Sequence, residues 1–177
     1  MALFAKAVLK ENIRVHSFDI TNLEKIAYLE VFNSQGLENI IAYSNKNYPK
    51  NTEPNYYEHF TLFVASYKGE IATQNAYNRI LKESAYGFSN LNKVDGEVAE
   101  RVKTLAIVAK AGGMILKKGT SIFSLVETCR KAPVGKDWMA YENMFLEYIR
   151  ENGEDIEILN ANCGMDRFHI EKRKEKQ

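Results

Sequence analysis

Cysteine, histidine and proline are all scarce in this 177-residue chain, and each scarcity removes a class of protein. Two cysteines, Cys129 and Cys163, cannot build a disulfide framework, so a reducing compartment, the cytoplasm, is expected. The three histidines, His16, His59 and His169, are scattered. With no His-Glu-x-x-His and no paired Cys-x-x-Cys, neither a metal nor another cofactor is expected. Three prolines leave few rigid turns. The chain carries no Gly-Lys-Ser/Thr phosphate loop, no Gly-x-Ser-x-Gly elbow and no kinase-like set, so no residue pattern requires an enzyme. Long apolar runs are missing too. The stretch Met1–Lys10 is apolar, but Lys6 splits it into runs of five and three residues. Those are too short for a secretory signal or a membrane span, so no membrane partner is expected.

What is present is the composition of a folded globular protein, 45% hydrophobic and 27% charged. The length fits one domain with a sizeable core, and ten Tyr and nine Phe make that core rich in rings. The expected organisation is an N-terminal arm or short helix over 1–12, a helical domain over 13–166 and a basic, frayed tail over 167–177.

The fold class read from the pattern is all-α, about six helices with room for a minor short strand pair. Ile13–Ile20 fits one short strand. Thr21-Asn22-Leu23-Glu24 is a capping-box pattern that opens a helix over 22–34, closed near Gly36. Thr52-Glu53-Pro54 sets up a second start, after which Tyr56, Phe60, Phe63, Val64 and Tyr67 fall at helical spacing up to Gly69. A strand over Phe60–Tyr67 is the alternative, since aromatic and β-branched residues are dense there; the caps favour helix. Ala76, Tyr77, Ile80 and Leu81 mark a third helix ending at Gly87, and Val98 to Ala109 a fourth, broken by Gly112-Gly113. Thr120 or Ser121 caps a fifth, with Ile122, Leu125, Val126 and Cys129 inward. Trp138, Tyr141, Phe145, Tyr148 and Ile149 are the stripe of a sixth. Ile156-Glu157-Ile158 reads as a short strand or a last turn.

Charge is distributed unevenly. Residues 101–136 hold eight basic side chains against Glu127 alone, and 137–158 hold seven acids against Arg150 alone. The chain's net +1 is a cancellation between separated blocks, which implies a surface with two poles. Helix dipoles account for Lys110, Arg130 and Lys131 at helix ends without a ligand. Lys117 and Lys118 differ: they fall in an expected loop behind two glycines, a pattern suited to phosphate contact. If the two blocks faced one side of a molecule they would neutralise each other; on opposite ends they would draw copies together.

These features point to an interaction protein that binds nucleic acid, RNA before DNA, and self-associates as a coat or nucleoprotein does. The expected phosphate contacts are Arg101, Lys103, Lys117, Lys118, Arg130 and Lys131, with the arm and the acidic block serving assembly. The alternative is an inhibitor or adaptor that meets a partner protein through a charged face. A third reading is a thiol enzyme on Cys163, Asp166 and His169, which share a side if that stretch is helical. Tyr56, Tyr57, Tyr141 and Tyr148 fit core stripes better than base stacking, and Tyr86 and Phe88 are the rings expected near a helix end.

Overall fold

The computed structural model describes residues 14–25, 29–44, 61–86, 96–126, 138–151 and 154–174. Within them the backbone builds seven strands: β1 (Arg14–Phe18), β2 (Leu37–Ser44), β3 (Thr61–Tyr67), β4 (Gly113–Lys118), β5 (Ser121–Val126), β6 (Ile156–Ala161) and β7 (His169–Arg173). They form one sheet in the order β1-β2-β3-β5-β4-β6-β7, with every neighbouring pair antiparallel. Three helices accompany it: α1 (Glu70–Ser84), α2 (Gly96–Ala111) and α3 (Trp138–Ile149). The all-α expectation is therefore overturned.

Side chains alternate across the sheet and feed two cores. Phe63, Ala65, Tyr67, Ile115, Ile122 and Leu159 face α1 and α2. Leu62, Val64, Met114, Leu116, Phe123 and Leu125 face the other way, onto Phe145 and Leu146 of α3. This sandwiching explains the misreading of β3 and β5. A strand covered on both faces is apolar at every position, so its period of two disappears and helical spacing fits it equally well. Ser121–Val126, expected as the fifth helix, is such a strand, buried at all four central residues.

Local chemistry redirected other segments. Thr21 does not cap a helix; Asp19 does the capping, its Oδ1 accepting from Thr21 N at 2.9 Å and from Thr21 Oγ1 at 2.7 Å. The result is a 3-10 turn over Ile20–Lys25 that breaks at Asn22 (φ −130°, ψ 27°), followed by a second short turn at Glu30–Phe32. Arg79 of α1 then donates to the carbonyls of Val31 (2.7 Å) and Asn33 (2.5 Å), tying these turns to the helix. Gly69 starts α1 instead of ending a helix: its carbonyl accepts from Thr73 N and Oγ1. Lys117 and Lys118 are not in a loop; they end β4, and Gly119-Thr120 turns the chain into β5. The tail is not frayed over His169–Arg173, which pairs with β6 as an edge strand.

Other expectations hold. β1 lies within Ile13–Ile20, α1 and α2 contain the third and fourth stripes, α3 spans Trp138–Ile149 although Tyr148 of its expected core stripe is exposed, and Ile156-Glu157-Ile158 opens β6. The arm over 1–12 and the Thr52–Pro54 start lie outside the described residues.

Candidate functional site

β4 and β6 pair at only three positions, Gly113–Ile115 against Leu159–Ala161. Beyond Ile115 a cleft of about 200 Å³ opens between β4 and the chain entering β6, bordered by Tyr77 of α1 and Ile149 of α3. Alternation sends Lys117 to the α1 side of the sheet and Lys118 to the α3 side. Lys118 Nζ is held by Glu151 Oε1 at 3.3 Å and by Glu154 Oε2. The bond from Glu154 raises the ammonium's pKa, and the same bond lowers that of the Glu154 carboxyl.

Lys117, in contrast, makes no hydrogen bond or ion pair with a described residue, and neither do Asp155 and Glu157 across the cleft. Tyr77 lines the same opening while only 6% exposed. Burial, and then the nearby Glu157 carboxylate, push its phenol up to about 12. Two lysines thus meet four carboxylates at this place. At Lys118 the basic and acidic blocks of the sequence meet inside one molecule.

Arg101 lies buried at the α1–α2 contact, its Nε donating to Glu83 Oε1 at 2.9 Å, with Glu97 at 3.5 Å. Lys103 is exposed on α2, 3.9 Å from Glu100. Arg130 and Lys131 lie outside the described residues. Of the four described candidates, Arg101, Lys103 and Lys118 are already engaged with carboxylates, and Lys117 borders the cleft. Tyr77 and Glu157 were missed as site residues: Tyr77 sits on a helical stripe, where a ring reads as core. Their only signal is the register that places them beside Lys117.

The Cys163, Asp166 and His169 trio does not share a helix face. Cys163 is exposed in a turn closed by Met165 N and Asn162 O (3.1 Å), Gly164 has φ 83°, and His169 opens β7. His16 packs edge-on against Phe18, and His59 is outside the described residues, as are Tyr56, Tyr57 and Phe88. No described group of three His, Cys, Asp or Glu is placed to hold a metal ion, and no described helix is long and apolar enough to cross a membrane.

A polar network fixes the β7 edge on the α3 side. Glu171 accepts from Asn160 Nδ2 (2.6 Å) and Arg173 Nε (2.7 Å), and Arg173 Nη1 reaches Glu142 of α3 at 2.9 Å. Burial pushes the Glu171 carboxyl up, but these bonds outweigh it and hold the group below its ordinary 4.5. A depressed folded value means stability that is present above 4.5 and lost as pH falls through the folded value. Amide exchange in β7, corrected for the intrinsic rate, is therefore expected to rise relative to β4 on acidification. Glu171→Gln should abolish that difference; parallel changes in both strands would show that the network does not hold β7.

The same α3 side has a second notable region. Val15 of β1 is 59% exposed there, and Ile41 and Tyr43 of β2 are half-buried. Met144 and Tyr148 of α3 are also exposed, at 45% and 49%. No protein-family model, curated protein or solved structure matches this chain.

Proposed function

We propose that this chain is an interaction protein that associates with a second copy of itself through the α3 side of β1 and β2. The observation that carries the reading is the width of the sheet against the single described helix on that side. Strands lie about 4.8 Å apart and a helix with its side chains is about 10 Å wide, so one helix is too narrow to cover all seven strands. The core beneath α3 draws on β3, β4, β5 and β6, with Tyr43 of β2 packed at its margin, which leaves Val15 and Ile41 outside it on the side where Met144 and Tyr148 are exposed. Apolar side chains exposed on one side of the sheet favour association. A pleated apolar face is complementary to the same face of another copy about a two-fold axis, as two sheets pack in a sandwich.

Charge is not the driving force in this reading. Lys118 is engaged by Glu151 and Glu154 of its own chain, which takes one of the basic block's eight cations out of any head-to-tail attraction. RNA is likewise not part of it, because phosphate approaching Lys117 and Lys118 meets four carboxylates; weak heparin retention is expected. The cytoplasmic placement belongs to the same proposal, on the two-cysteine composition.

Sedimentation should give a dimer at low and at high salt, because salt screens charge pairs but not apolar contact. Val15→Asp with Met144→Asp should yield a monomer with an unchanged circular dichroism spectrum. A wild-type monomer throughout a wide concentration range, or a dimer that salt dissolves, would overturn the proposal.

A further inference from the structure

The antiparallel register of β4 and β6, continued past Ile115 and Leu159, would set Lys117 directly opposite Glu157. Opposite charges facing each other on one side of a sheet normally pair. Here the strands part at that point, and the two side chains border a cleft with no ion pair between them. Tyr77 closes the α1 side, nine-tenths buried, with its hydroxyl unbonded to any described residue.

The uncommitted groups specify the occupant. A cation and a phenol hydroxyl stand ready for an anionic oxygen, and two carboxylates, Asp155 and Glu157, for a cationic nitrogen. On the α3 side the lining turns apolar at Leu116, Ile149 and Ile156. A volume of about 200 Å³ falls below the usual range of drug-sized pockets, which begins at about 300 Å³.

We propose that this cleft binds a small zwitterion, an α-amino acid with an aliphatic side chain, its carboxylate on Lys117 and Tyr77 and its ammonium on Glu157 and Asp155. The alkyl group extends between the parted strands towards Ile149 and Ile156. Lys118 stays with Glu151 and Glu154 and takes no part. The site does not depend on self-association, because its groups all come from one chain.

Three probes of one carbon skeleton test the site by amide NMR on the full chain: L-leucine, 4-methylpentanoate, which lacks the ammonium, and 3-methylbutylamine, which lacks the carboxylate. Leucine should shift the amides around Tyr77, Lys117 and Glu157, with each single-charge probe at least about tenfold weaker, the loss of one charge-assisted contact. Lys117→Gln and Glu157→Gln should each weaken leucine about tenfold, and Tyr77→Phe, which keeps the ring in its core, should weaken it less. Lys118→Gln should leave leucine binding unchanged. Equal binding of the three probes, binding of the amine alone, or no shift with leucine at millimolar concentration would overturn the proposal.

Discussion

Glu83→Ala is expected to cost about 3–5 kcal/mol, the penalty for breaking a buried ion pair from one side. Glu83 is almost fully buried on α1 and takes the Arg101 guanidinium from α2 at 2.9 Å. It also acts on Arg79, whose charge burial and Arg101 both disfavour and Glu83 supports. Removing the carboxylate therefore leaves two guanidinium groups close together in a poorly solvated place. Arg101→Ala should cost less, because Glu83 keeps Arg79. The order of the two variants separates this account from a phosphate-binding role for Arg101, in which Arg101→Ala would alter ligand retention and leave stability alone. Urea unfolding at constant slope measures both; equal or negligible losses would show that Glu83 is not the shared counter-charge.

Gly113→Ala should be comparably damaging, on the order of 3 kcal/mol, by overpacking. A Cβ at Gly113 would lie 2.2 Å from the Leu125 carbonyl oxygen. That oxygen is backbone, and Gly113 is locked between Val126 of β5 and Ala161 of β6, so no flexible side chain can yield. Gly119 provides the control. Its φ is 55° and nothing lies within 4 Å of an added Cβ, so Gly119→Ala carries only backbone strain of about 1–2 kcal/mol. Thermal unfolding of the two variants should show the larger fall for Gly113→Ala. Equal midpoints would mean that β5 can move away from β4, and the central sheet is less rigid than described.

Both variants concern residues whose roles no linear reading assigns. The two glycines read as a helix break, and that was correct; that the second starts a central strand depends on β5 and β6 flanking it. Arg101 reads as a phosphate contact within the basic block 101–136, yet its partner comes from α1, 18 residues earlier. Lys117 and Lys118 were placed in a loop, because two glycines precede them and a six-residue strand of Gly-Met-Ile-Leu-Lys-Lys shows no alternation. Only strands on both sides and cores above and below explain that pattern.

The sequence by itself determined three helices, the position of β1, the start of β6 and the breaks at glycine. Those features arise from contacts within a few residues: apolar stripes at a period of 3.6 and φ values open to glycine. Tertiary structure decided that the apolar runs at Thr61–Tyr67 and Ser121–Val126 are strands, because a segment buried on both faces carries no periodic signature of its own. It also decided how the charge blocks are used. Formal charge is legible along the chain, but neutralisation depends on distance in space, and Lys118 meets Glu151 and Glu154 only because β4 ends beside the segment that leads from α3 into β6.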